Sequence, residues 1–370
     1  MYAINTTELQ ELMRDTYLSK TPLMIYGGPG IGKSMITMEV AKKFAEEEKK
    51  KFVAWSDATK DEKVEMIADP DSYFVYADQR VAQMDPTDLR GIPNMVAGTE
   101  YLETLPMSWI VYFTQPKAHG IIFFDEINLA PPMVAAQAYQ IINERTAADR
   151  RLSDFTHIIA AGNRQSDKAF VFDMPLPLRD RFAEVEVFHD AKAWFDWAIG
   201  KVNPHLIAFI GWKESFLYKI NDKSTDKSST PRGVHRASKL IGDHEITSNK
   251  VHQLVSVSCG EAFATEFQAY VKHFAQLNWA TIYAKPETVK GFSPDKLFAV
   301  MGGLAEHYNK AKEQKQFDKI IKVIIEMETD FAISTLRIIK DTDFKEFKKY
   351  LKGCADFRTI AKEFGKYIVD

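Results

Sequence analysis

The apolar positions of this 370-residue chain change period along its length. Thr7, with Gln10 three residues on, forms a capping-box pattern, and Leu9, Leu12, Met13 and Tyr17 then share one helical face, which predicts a short leading helix. Pro22 introduces LMIY (23–26), a compact apolar run broken by glycine, and from Lys33 the residues Ile36, Val40, Ala41 and Phe44 recur at helical spacing. The pattern predicts a strand, a glycine loop and a helix. EEEKKK (46–51) sets Glu46 four before Lys50 and Glu47 four before Lys51, the favourable order for exposed helical pairs. It reads as a solvated helix end rather than a nucleic-acid tail.

Residues 57–118 are less regular. An acidic helical piece (DEKVEMIAD), an extended FVYADQRVAQM, the turn-rich DPTDLRGIPN and a further extended SWIVYF predict a strand pair with an inserted loop. Gly120 then opens IIFF, four apolar residues in a row, as in a strand covered on both faces. Pro131 and Pro132 start a helix running to about Glu144, and the apolar HIIAAG (157–162) ends at Asn163. Strands and helices alternate to about residue 188, the signature of a parallel sheet wrapped by helices. Beyond it AKAWFDWAIG, RGVHRASKLIG and GEAFATEFQAYVKHFAQL carry helical periodicity, interrupted by the polar NDKSTDKSSTP (221–231).

Composition adds limits. With 45% hydrophobic, 27% charged and 12% aromatic residues the chain sits among folded, water-soluble proteins. A net charge of −3 creates no long-range field to gather nucleic acid or anionic lipid. Cys259 and Cys354 stand far apart with no CxxC or Cys/His spacing, so neither a disulfide framework nor a zinc site is signalled. The start, MYAINTTELQELM, lacks a basic region followed by an apolar core, and no window approaches the roughly 18–20 apolar residues of a membrane span. The expectation is a cytoplasmic protein with no membrane attachment.

The candidate chemistry lies in two stretches. GGPGIGKS, Gly27 to Ser34, satisfies G-x-x-x-x-G-K-[ST], a pattern that arises by chance in a chain this long on the order of once in a hundred. Its glycines let backbone amides curl round phosphates, Lys33 reaches the outer phosphate groups, Ser34 holds Mg2+, and the following helix aims its positive end at the same anion. IIFFDE ends a buried strand with two carboxylates; Asp125 would serve the Mg2+ side, and Glu126 would orient and deprotonate an attacking water. Either stretch alone is a glycine turn or a strand end, and it is their combination that points to phosphoryl transfer. Asn163, ending the next apolar strand, offers an amide to the same water, against the alternative of an ordinary turn asparagine. A phosphoryl-transfer site gains from a second positive group, commonly an arginine lent by a neighbouring subunit. LRDRF (178–182) is assigned that role, and Arg232 lies in STPRGVHR at the start of a helix.

The ordered set GGPGIGKS, FFDEINLAPP, AAGNR, LRDRF and TPRGVHR resembles an AAA+ ATPase and, within that group, the MoxR family of bacteria and phages. RVAQMDPTDLRGIPN with Trp109, WFDWA and AFIGW are similar to the same family, over residues 20–245. The resemblance implies a P-loop NTPase α/β core at 1–188 and an all-helical lid at 189–290, while a helical C-terminal extension at 291–370 is read from the residue pattern beyond its reach. It implies that Gly27, Gly28, Pro29, Gly30, Ile31, Gly32, Lys33 and Ser34 form Walker A, Asp125 and Glu126 Walker B, Asn163 sensor 1 and Arg232 sensor 2, with Arg181 the arginine finger and Arg179 a second candidate. It further implies ATP and Mg2+ as cofactors, a homo-oligomeric and usually hexameric ring, a separate von Willebrand factor A domain protein as partner and a protein client. DPTDLRGIPN and ERTAADRRLSDF would face the pore or the client. The 92 residues separating Lys33 from Asp125 are long for that family, the surplus lying at 57–118.

Three functional classes follow. One is a ring-forming, Mg2+-dependent ATPase that remodels a protein client. Another is a nucleic-acid-directed motor of helicase, clamp-loading or restriction type, some of which use GTP; the charge balance and the lack of an aromatic-basic reader motif speak against it. The last is a nucleotide-gated scaffold with little turnover, for which Glu126, Asn163 and LRDRF would have no use.

Overall fold

The computed structural model describes residues 2–98, 100–164, 179–220 and 227–368. The chain divides into two compact units, Met1–His189 and Asp190–Asp370.

The first unit is built on seven strands: β1 (Tyr2–Ile4), β2 (Leu23–Gly27), β3 (Lys51–Ala54), β4 (Tyr73–Arg80), β7 (His119–Asp125), β10 (Thr156–Gly162) and β11 (Ala183–Val187). They run parallel in the order β1-β11-β2-β10-β7-β4-β3. Helices α1 (Thr6–Ser19), α2 (Lys33–Glu47), α3 (Lys60–Ala68) and α6 (Pro132–Glu144) alternate with these strands. Central strands of such a sheet are buried on both faces, and Leu23, Met24, Ile25 and Ile121 to Phe124 are accordingly shut off from solvent. Two short antiparallel hairpins stand apart from the sheet, β5 (Ile92–Met95) with β6 (Leu102–Leu105) and β8 (Thr146–Ala147) with β9 (Arg150–Arg151). The edge strand β1 has only three residues, too few to show alternation, and the sequence reading passed over it.

Several local expectations are corrected. The capping box of α1 is built by Asn5 and Glu8, not Thr7 and Gln10: Asn5 Oδ1 accepts from the amides of Thr7 and Glu8, both at 2.9 Å, and Glu8 returns a bond to the Asn5 amide. Thr7 is already inside the first turn, where its own amide needs an acceptor. The Glu46–Lys50 and Glu47–Lys51 helical pairs do not form, because α2 stops at Glu47. Glu47 pairs instead with Arg14 at 2.7 Å and Lys50 with Asp71 at 2.8 Å. SWIVYF is a short helix, α5 (Ser108–Phe113), rather than a strand. An apolar run that buries Trp109, Ile110, Tyr112 and Phe113 has no period to separate the two. In place of a strand pair, residues 57–118 therefore supply α3, β4, the short helix α4 (Pro86–Arg90), the β5/β6 hairpin and α5, and β4 lies in the main sheet between β3 and β7.

The described part of the second unit is helical apart from one isolated bridge between Lys219 and Ser229. Phe209, on the helix Pro204–Trp212, is ringed by Phe216, Phe263, Phe267 and Tyr270 at centroid separations of 5.8, 5.0, 5.4 and 6.2 Å. The same core runs on through Leu304, Phe317, Ile339, Phe347 and Ile360. Residues of the expected lid at 189–290 and of the expected extension at 291–370 both contribute to this core. The helix Pro294–Lys310 joins them, burying Leu297, Val300, Met301, Leu304 and Tyr308 in it. Cys259 and Cys354 are buried free thiols, and among the described residues no helix is long and apolar enough to cross a membrane.

Candidate functional site

β2 ends at Gly27, and the chain loops through Gly28 to Ile31 before α2 begins at Lys33. Gly30 and Gly32 hold φ of 77° and 101°, a region costly for residues with a Cβ. Gly32 is the N-cap of α2 and no side chain caps the helix, so its first-turn amides are open to an anion. Ile31 is buried beneath the loop, while Pro29 is exposed. Lys33 Nζ donates to the carbonyls of Gly27 at 2.7 Å and Gly28 at 3.3 Å, and to Asn163 Oδ1 at 3.4 Å.

Sheet order brings the second stretch beside the first. β10 lies between β2 and β7, so the carboxyl ends of all three strands open on one edge. There Ser34 Oγ donates to Asp125 Oδ2 at 2.8 Å, and Asp125 Oδ1 accepts from the Glu126 amide at 2.9 Å. Glu126 takes a left-handed conformation, φ 55° and ψ 34°, uncommon for a residue with a side chain and frequent at functional positions. Asn163 follows the last residue of β10. Lys33, Ser34, Asp125, Glu126 and Asn163, scattered over some 130 residues of sequence, are thereby gathered at one end of the sheet.

Three neighbours were not recognised from sequence. Asn128, buried, donates from Nδ2 to the Asn163 carbonyl at 2.7 Å and accepts from the Asn163 amide at 3.2 Å. Tyr76 donates to the Ser34 carbonyl at 3.3 Å, and its phenol is pushed far up, by burial first and then by Asp78 and Asp125. Asp78 is pushed up to about 6, by burial first and then by Asp125, with Arg80 opposing and Glu126 adding a little. A polar residue inside the apolar run FVYADQ was the available signal for Asp78.

The arginines lie elsewhere. Arg179 makes a two-pronged pair with Glu184, Nε to Oε1 at 3.0 Å and Nη2 to Oε2 at 2.8 Å, whereas Arg181 is exposed. Leu178 of LRDRF falls outside the described residues. Both arginines precede β11, whose first residue Ala183 is in register with Leu23 at the start of β2. They therefore precede the end of β11 that lies beside Leu23, the end of β2 away from Gly27. Arg232 is exposed in the first turn of the helix Pro231–Ile241 of the second unit, which Thr230 caps. Of the two pore-loop candidates, DPTDLRGIPN supplies α4 and the first strand of one hairpin, and ERTAADRRLSDF contains the other.

The donor set suits a hard divalent cation: a hydroxyl and a carboxylate meet at the mouth of the loop. Among the described residues no group of three or more His, Cys, Asp or Glu side chains could hold a metal unaided. Mg2+ in such sites completes its shell with water and substrate phosphates, so one hydroxyl and one carboxylate are enough protein.

A parallel sheet with this loop at its carboxyl edge defines a P-loop nucleoside triphosphatase. Residues 22–182 match the family described as AAA domain, dynein-related subfamily. These residues form an AAA+ ATPase domain. Among solved structures the chain is similar to NtrX from Brucella abortus in complex with ADP, at 12% identity and TM-score 0.37, over 82% of this chain and 64% of that one. It is also similar to the Thermotoga maritima RuvB Holliday junction branch migration motor, at 13% identity and TM-score 0.26, over 94% and 86% of the two chains. The Aeropyrum pernix ORC2 protein is similar at 12% identity and TM-score 0.37, over 94% and 83%. No curated protein matches the chain.

Proposed function

We propose that this ATPase works as a Mg2+-dependent ring of identical subunits, six by resemblance to the MoxR family, that remodels a protein client. In this reading Gly27 to Ser34 bind the nucleotide phosphates, and Arg232 keeps the sensor 2 role that the resemblance implies. Ser34 and Asp125 hold Mg2+, which supplies charge neutralisation on the phosphates. Glu126 takes the proton of the attacking water and Asn163 orients that water. Arg181 serves the neighbouring subunit as its arginine finger, and Arg179, engaged with Glu184, positions that turn. The client and an adhesion-type von Willebrand factor A partner come from the resemblance alone.

The observation that carries the ring is the separation of Arg181 from its own phosphate loop by the length of a strand. An exposed arginine before the start of β11 supports a role at another copy's nucleotide rather than at its own. Mixing tests this: Arg181→Ala and Lys33→Ala proteins, each inactive alone, should regain part of the activity when combined. One kind of interface then has both an intact loop and an intact finger. No recovery, with both variants assembled, overturns the shared site. For the client, Glu126→Gln protein held in ATP should retain a protein on affinity capture; recovery of nucleic acid instead favours a nucleic-acid motor.

A further inference from the structure

We infer that Asn128 is a positioning residue for Asn163, setting the sensor amide in place from the turn that carries the proposed catalytic base. The inference rests on the reading of Asn163 proposed above. After Glu126 turns left-handed, the Leu129 amide bonds the Glu126 carbonyl at 2.9 Å and closes the 3-10 turn Ile127–Leu129, which puts Asn128 at the end of β10. Its side chain then grips Asn163 by both main-chain groups, donating to the carbonyl at 2.7 Å and accepting from the amide at 3.2 Å. Those partners fix which end of the Asn128 amide is which, because a carbonyl can only accept and an N–H can only donate.

Close approach is made possible by Gly162. A Cβ there would stand 2.7 Å from Asn128 Oδ1 and 2.8 Å from its Cγ, so any side chain would push the amide off Asn163. The flanking Ile127 and Ala130 are apolar and fully buried, and packing alone would ask for the same at 128. A buried amide costs free energy unless both its ends are bonded, and here both go to one residue. With its main chain clamped, Asn163 presents Oδ1 to Lys33 Nζ at 3.4 Å. The phosphate-loop lysine, the sensor and the turn bearing Glu126 are thus joined in one chain of contacts.

The test is steady-state ATP hydrolysis by the full-length chain carrying Asn128→Ala, Asn163→Ala or both. Asn128→Ala should lower kcat about ten- to a hundred-fold, the penalty of a slightly misplaced group, with KM within about two-fold. In the Asn163→Ala background it should lower kcat no further. Multiplying losses in the double variant, or wild-type kcat in Asn128→Ala, overturns the proposal. If the alanine variant does not fold, Asn128→Asp serves: it has the same shape but sets an oxygen against the Asn163 carbonyl. It should lose kcat with KM near wild type, and wild-type kcat there overturns the proposal as well. Failure of the underlying reading looks different, since Asn163→Ala itself would then hydrolyse ATP like wild type, removing the role that Asn128 is inferred to support.

Discussion

Ser34 Oγ lies 2.8 Å from Asp125 Oδ2, a bond between residues 91 positions apart that joins the phosphate loop to the acidic strand end. The same carboxylate accepts the Glu126 amide through its other oxygen, so one side chain aligns the hydroxyl proposed to bind Mg2+ with the proposed catalytic base. Removing either partner should therefore be felt first as a demand for metal. Ser34→Ala or Asp125→Asn should raise the Mg2+ concentration for half-maximal hydrolysis about ten- to a hundred-fold, measured by Mg2+ titration at saturating ATP.

Glu126→Gln keeps the shape of the side chain and removes the proposed base. Turnover should fall about 10²- to 10⁴-fold while nucleotide binding, followed with a fluorescent ATP analogue, stays close to wild type.

Asp78 gives a pH-dependent stability of a stated sign. Its carboxyl is pushed up to about 6 in the fold from an ordinary value near 3.8, so its ionisation weakens the folded state as pH rises through that window. Asp78→Asn should raise Tm at pH 8 and change it little at pH 3.5. A loss of Tm at pH 8 would contradict this placement.

Glu306 works in the opposite direction. Burial opposes its ionisation, but the bond and attraction from His205 at 3.1 Å and from Lys310 at 2.7 Å win, holding it at about 2. A carboxyl depressed below its ordinary 4.5 contributes stability above that pH and loses it as pH falls toward 2. Glu306→Gln should lower the urea midpoint at pH 6 and lose the part of the acid dependence between pH 4.5 and 2.

Phe209 is fully buried at the centre of the aromatic cluster of the second unit. Phe209→Ala should cost about 3–5 kcal/mol of stability, read from denaturant unfolding monitored in that unit.

Much of the candidate site was legible in the chain because it depends on local spacing. GGPGIGKS needs its glycines and lysine a fixed few residues apart whatever surrounds them, and IIFFDE carries both burial and charge in six letters. Where local pattern was ambiguous, the structure differed: SWIVYF is apolar at nearly every position, and a helix or a strand buries it equally well. Asn128 was invisible for another reason, since its bonding partner lies at the end of an adjacent strand, whereas Asp78 left only the sign of a polar residue in an apolar run.

Sequence alone determined that a phosphate loop, an acidic strand end and a helical second half exist, because periodicity and backbone-conforming residues act over one or two turns of chain. Tertiary structure decided which strands are neighbours. It is the parallel order β2-β10-β7 that sets Ser34 against Asp125 and Lys33 against Asn163, and the parallel pairing of β11 with β2 that puts Arg181 before the end beside Leu23. Strand order follows from how the helices cover both faces of the sheet, a property of the whole domain that no short window of residues contains.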